Sequence, residues 1–186
     1  GDAGDPPSLE PGTPAKSSSS NRKVGTDVGD QAPDWTLEDQ KRKKHRLEDY
    51  RGELVLIDFW ATWCGPCKRA MPGLQQLHRQ YEKEGLNVIG INVWEENPHE
   101  AVGYMKSKRY DYELLLRGDS VAKRYGVKGI PSYFLIGTDG EILYTARGFS
   151  PRVEEELDAK IREALELGDK PVDEMTPEEL EDYEDY

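Results

Sequence analysis

Only two cysteines occur in the 186 residues, which excludes a scaffold of several disulfides and a four-thiolate zinc site. The three histidines, His45, His78 and His99, are scattered without a metal-ligand spacing. No run approaches about 18 consecutive apolar residues, so nothing reads as a membrane-spanning helix. Positive charge is short as well. The net charge of −12 argues against nucleic acid or an anionic membrane as the main partner. Apolar residues make up 35% and charged residues 33%, too polar for the whole chain to lie around a core.

The acidity is concentrated. From Pro171 to Tyr186 there are eight acids and no Lys or Arg, while residues 31–170 are left near neutral. The first thirty residues hold Pro6, Pro7, Pro11, Pro14 and the run Ser17–Ser20, with almost no large apolar side chains. Such a segment buries too little surface to offset its ordering entropy. The expected organisation is a flexible linker (1–30), one domain (31–168) and an acidic C-terminal tail (169–186), expected to be disordered, with a short helix capped by Thr176 as the alternative. The chain opens with Gly and shows no signal peptide. A tether ahead of a domain suggests an upstream attachment: a cleaved signal, a lipid anchor or a membrane helix. An ordinary loose terminus is the alternative.

Within the domain, Ala32–Leu37 and Lys43–Leu47 read as short strands around the polar turn Glu38–Arg42. Glu53–Trp60 is a continuous apolar run rich in β-formers, expected to be a strand covered on both faces. A helix from Cys64 to Glu84 follows, then a second buried strand, Asn87–Trp94, and a helix over Pro98–Arg109. Tyr112–Leu116 is a short apolar stretch and Ser120–Tyr125 a short helix. Ser132–Ile136 and Glu141–Ala146 flank the turn Gly137-Thr138-Asp139-Gly140, a hairpin signal. Pro151–Leu167 closes the domain, with Val153, Leu157, Ile161 and Leu165 four apart. The order implies an α/β fold with a mixed sheet between helices.

The chemistry sits in Trp63-Cys64-Gly65-Pro66-Cys67. Here a strand runs into a helix. At the helix start, unpaired N–H groups and the positive end of the dipole stabilise a thiolate on Cys64. Cys67 lies one turn on, facing the same side, and Pro66 needs no N–H partner in a first turn. Cys64 is the expected exposed nucleophile and Cys67 the shielded resolving thiol. An inert core pair or half a zinc site is the alternative, with no other thiol or suitable His pair to complete it.

With these residues in view, the sequence resembles the thioredoxin superfamily, and its TlpA/ResA-type extracytoplasmic branch in particular, over about Gly29 to Leu167. The resemblance is carried by Ile57 to Cys67, by Pro72 within the helix, by Gly129-Ile130-Pro131-Ser132 and by Thr138-Asp139-Gly140-Glu141. It implies a thioredoxin fold with an N-terminal β-hairpin extension and flexible termini. It also implies a cis bond at Pro131, with Ile130 offering its backbone to an extended substrate. An ordinary trans proline is the other reading. Asp58, a lone acid in an apolar strand, is expected to be buried with a raised pKa near Cys67, suited to proton transfer; an Asp reaching solvent is the alternative. Asp58 departs from the TlpA/ResA branch, which often has a neutral amide there, and is closer to cytosolic thioredoxin; two other positions depart from the pattern. Ala70 stands where the branch often has Glu, and Gly90 where cytosolic thioredoxin usually has Lys.

The function implied is thiol–disulfide exchange. Cys64, Cys67 and Asp58 would be catalytic, with Trp63, Gly65, Pro66, Ile130 and Pro131 receiving the substrate. The Gly-Pro pair favours reduction over oxidation. Disulfide-containing proteins, among them apocytochromes c, and an upstream thiol donor are the implied partners. No cofactor, metal or nucleic acid is expected, and the chain is expected to be monomeric. The location implied is periplasmic or membrane-tethered, with the cytoplasm left open. A peptide-binding module without redox turnover is the competing function. A peroxidase is disfavoured, because no Pro- and Thr-containing loop with a lone Cys is present. His78 reads as a surface residue, and Lys41–Arg46 as a solvated basic hairpin.

Overall fold

The computed structural model describes residues 21–168 and Pro177. Thr176, the candidate cap of a short tail helix set against the disorder the sequence favours, lies outside the described residues. Regular structure begins with an antiparallel hairpin of β1 (Thr36–Glu38) and β2 (Lys44–Arg46). Its turn is held by Asp39, whose Oδ1 accepts from the backbone N–H groups of Lys41 and Lys43 at 2.8 and 3.0 Å. The first strand starts four residues later than its sequence suggests. Pro33 has no N–H for a ladder, and Ala32 N donates instead to Gly140 O at 2.9 Å. Within the stretch read as linker, Gly29 N donates to Ile142 O at 2.9 Å, and Arg22 pairs with Asp139 at 2.6 Å.

The apolar run forms the central strand β3 (Leu54–Trp60). It is followed by α1 (Gly65–Tyr81), β4 (Leu86–Asn92), α2 (His99–Lys108), β5 (Glu113–Leu115), α3 (Asp119–Arg124), β6 (Ser132–Ile136), β7 (Ile142–Arg147) and α4 (Pro151–Ala164). The sheet order is β5-β4-β3-β6-β7. β3, β4 and β5 are parallel, β6 runs antiparallel to β3, and β7 antiparallel to β6. The register sets Asp58 opposite Gly90 on one side and Tyr133 on the other.

Both sheet faces are covered, which is why β3 lacks alternation. On one face Leu54, Leu56, Trp60 and Tyr133 meet Met71 and Leu74 of α1, Ala101 and Met105 of α2, and Leu157 and Ile161 of α4. On the other, Val55, Ile57, Phe59 and Phe134 meet Val121 and Ala122 of α3 and the hairpin flanks Trp35, Leu37 and Leu47. Each buried Leu, Ile, Val, Phe or Met among them contributes about 1.5–3 kcal/mol by leaving water.

α1 runs through Pro72, which supplies no N–H to the helix. It stops at Tyr81, short of the expected Glu84. The chain tightens there into a 3-10 turn, Glu82–Glu84, and leaves it at Gly85, whose φ of 107° is the left-handed conformation glycine takes without strain. α4 is started by Ser150, whose hydroxyl accepts from Val153 N at 3.2 Å, and by Pro151. Among the described residues no helix is long and apolar enough to cross a membrane.

Candidate active site

The end of β3 and the start of α1 bring the two sulfurs together. Cys64 is the N-cap of α1. Its carbonyl accepts the helix's early bond from Lys68 N at 3.1 Å, and its Sγ accepts from Cys67 N at 3.2 Å. One orphan donor of the first turn is thus aimed at the sulfur that would carry charge. Cys64 and Cys67 are joined as a disulfide with Cα atoms 5.2 Å apart. Cys67 is wholly enclosed, whereas Cys64 keeps 5% exposure. The expectation of an openly exposed Cys64 is corrected here. The leading sulfur is the more accessible of the two, but through a narrow opening, because the helix cap folds it back among core side chains.

Trp63 stands beside that opening with 61% of its surface exposed. Its indole Nε1 donates to Trp94 O at 2.9 Å. Trp60 is a fully buried core residue instead. The loop between β3 and α1 is gripped by Glu95, just past β4. The Glu95 carboxylate accepts from the backbone N–H of Thr62, from the Thr62 hydroxyl at 3.0 Å and from the Asn92 amide at 3.1 Å. Trp94 N in turn donates to Asp119 at 2.8 Å. Sequence reasoning missed Thr62, Trp94, Glu95 and Asp119. Trp94 and Glu95 lie more than thirty residues from the loop they hold, and Asp119 another 25 beyond Trp94; the parallel pairing of β3 with β4 brings the first two beside the loop.

Ile130–Pro131 is cis, as the resemblance implies. The Ile130 carbonyl oxygen lies 3.7 Å from Cys64 Sγ. Gly65 and Pro66, in the first turn of α1, complete the surroundings of the sulfurs.

Asp58 is fully buried on β3, on the face covered by α1, and no protein group hydrogen-bonds either oxygen. Burial pushes its carboxyl well above the usual range. The alternative of an Asp reaching solvent is therefore excluded.

Residues 28–145 match the AhpC/TSA family. The chain belongs to that family, within the thioredoxin superfamily. Among relatives of this family, Thiol-disulfide oxidoreductase ResA of Geobacillus kaustophilus is 38% identical over 122 residues, 64% of this chain and 69% of its own. The ResA of Geobacillus thermodenitrificans is 36% identical over 121 residues, again 64% and 69%. A crystal structure described as a thiol:disulfide interchange protein DsbE from Chlorobium tepidum superposes with a TM-score of 0.71 at 32% identity. It covers 76% of this chain and 99% of that one.

Two histidines of this AhpC/TSA chain depart from their sequence reading. His78 is not a surface residue. The segment ahead of β5 folds over α1, so His78 lies 3.5 Å from Asp111, with the Tyr112 ring against it. His45 is the one member of the basic run drawn inward. Its Nε2 lies 2.9 Å from Asp39 and 3.7 Å from Glu113, and its Nδ1 meets the Tyr50 hydroxyl at 3.1 Å. The other five residues of Lys41–Arg46 are exposed. Asp39, His45 and Glu113 thus converge although their spacing gave no sign of it.

Proposed function

We propose that this thiol–disulfide oxidoreductase works as a reductase of protein disulfides outside the cytoplasm, with the sequence ahead of the domain serving as a tether. The observation that carries the reading is Cys64 at the helix cap, its sulfur accepting from Cys67 N and lying beside the Ile130 carbonyl.

In the reduced enzyme, thiolate Cys64 attacks one sulfur of a substrate disulfide. That S–S bond breaks, the leaving thiolate takes a proton from solvent, and a mixed disulfide forms at Cys64. Trp63, Gly65, Pro66 and cis-Pro131 form the rim that holds the substrate, and Ile130 pairs with its extended backbone. Cys67 then gives its proton to Asp58 and attacks Cys64 Sγ. The second substrate thiolate departs and is protonated. Two electrons have passed to the substrate, and Cys64 and Cys67 are left as the disulfide seen here. A dithiol donor returns the pair to the reduced state.

The deciding experiment is equilibration of the Cys64/Cys67 couple with thiol–disulfide buffers, combined with insulin reduction. A potential near the reducing end, close to about −270 mV, together with turnover supports a reductase. A potential near that of a strong oxidant, about −120 mV, sinks that direction. Absence of exchange favours a peptide-binding module.

A further inference from the structure

Among the described residues, the buried polar atoms without a hydrogen-bond partner include five on one face of the sheet, both Asp58 oxygens, Trp60 Nε1 and the hydroxyls of Tyr112 and Tyr133, with His78 Nδ1 of α1 beside Tyr112. Buried polar groups are almost always paired, so such a set calls for a reason. The residues are neighbours by register. Tyr133 is the direct cross-strand partner of Asp58, and Gly90 its partner on the other side. A methyl group at Gly90 would lie 2.9 Å from Trp60 Nε1 and 3.4 Å from the Tyr112 ring, so these two side chains fill the room a residue on β4 would take.

The chemistry of the set is complementary. A carboxylate only accepts, an indole only donates, and a phenol has a proton to give. Too far apart for direct bonds, they suit an internal water, which makes two to four bonds of its own. Tyr112 also lines a cavity of about 320 Å³, with Met105 and Tyr110, that opens to the surface between α2 and β5.

We propose that Tyr112 and Tyr133 are positioning residues for Asp58: through bridging water their hydroxyls donate to its carboxylate, and Tyr112 links it to solvent, so that it can accept the Cys67 proton and release it again. This rests on the reading of Asp58 as proton acceptor. The proton leaves Cys67 as its sulfur attacks Cys64, resides on Asp58, and passes to water on the Tyr112 side; no electrons move in this relay. Burial first, and then the Asp58 charge, push both phenols above the ordinary tyrosine range, so both stay protonated donors. Among the described residues, the titratable groups packed on this side of the sheet include Cys67, Tyr81 and His78 from α1, the last against the Tyr112 ring, Tyr133 from β6 and Tyr112 ahead of β5, with Tyr104 of α2 and Tyr110 beyond it acting on Tyr112. β4 presents Leu86, Val88 and Gly90 to this face, and α4 the apolar Leu157 and Ile161, none of them titratable.

The test follows the carbon-13 signal of the Asp58 carboxyl over pH in the reduced chain, beside the pH profile of disulfide reduction. Tyr112→Phe and Tyr133→Phe each remove a donor to the charged form. The Asp58 midpoint therefore moves up, by about one pH unit or tenfold in proton affinity, and the profile moves with it. A merely structural role leaves the midpoint in place in both variants while stability holds or rises, since an unpartnered buried hydroxyl is lost; that result overturns the proposal. Asp58→Asn separates the two levels. If it leaves the profile unaltered, the reading of Asp58 fails. If it abolishes the limb while both Phe variants leave it in place, only the tyrosine assignment fails.

Discussion

The indole of Trp63 donates to the main-chain carbonyl of Trp94 across 2.9 Å, so the loop before α1 is held by the loop after β4. Trp94 adopts a φ of 54°, a left-handed conformation costly for a side chain of its size, and Asp119 fixes its N–H. The exposed face of Trp63 is thereby set beside Cys64 rather than left free to rotate, and it is available to a partner. Aromatic side chains in such positions carry a large share of binding energy.

Trp63→Ala is therefore expected to raise KM for a protein disulfide by about tenfold or more, while reduction of a small disulfide changes little. Stability falls by only about 1 kcal/mol, the worth of one hydrogen bond on an exposed residue. Steady-state kinetics with both substrates and a denaturant melt check the two halves. An equal loss on small and large substrates would assign Trp63 to the chemistry instead.

Glu95→Ala removes the acceptor for the Thr62 backbone, the Thr62 hydroxyl and the Asn92 amide. It is expected to cost about 2 kcal/mol by denaturant unfolding and to slow disulfide reduction, because the loop carrying Cys64 is loosened. Glu95→Gln, which keeps an acceptor toward Thr62, should recover part of both. Unaltered rates in Glu95→Ala would show that the clamp is not needed.

Cys67→Ser should trap a substrate on Cys64 as a mixed disulfide seen by mass spectrometry, since the resolving thiol is gone. Cys64→Ser should trap far less, because Cys67 is wholly enclosed in the oxidised fold. Equal trapping by the two variants would reverse the assigned order of attack.

For Asp58 the stability effect has a definite sign. Its folded pKa is raised by burial above the unfolded value of about 3.9. Below that value both states are protonated and there is no penalty. As pH rises from there, the unfolded chain releases the proton and the folded chain holds it, so stability is lost up to the folded pKa. Asp58→Asn should melt like the parent near pH 3.5 and increasingly above it at neutral pH. The same variant should lower turnover by about a hundredfold, if proton transfer contributes as it does elsewhere. Parallel melting curves across the whole pH range would contradict the buried-acid reading.

Short-range pattern is what the sequence determined. The apolar run over Leu54–Trp60, the Cys-X-X-Cys at a strand–helix junction and the hairpin around Asp139-Gly140 each depend on residues close along the chain. Their periods and spacings are fixed by strand and helix geometry alone. Asp58 was legible for the same reason, as one charge within a strand that had to be buried on both faces. Tertiary structure decided what depends on distant segments meeting. It narrowed the access to Cys64, enclosed His78 under the Asp111–Tyr112 segment, joined His45 to Asp39 and Glu113, and set Glu95 on Thr62. It also set Tyr133 beside Asp58, and Tyr112 on the same face of the sheet. No local pattern encodes these pairs. They arise when strand pairing and packing bring segments together, most of them thirty or more positions apart and Asp39 and His45 across a hairpin, because hydrogen bonding and burial act on distance in space rather than along the chain.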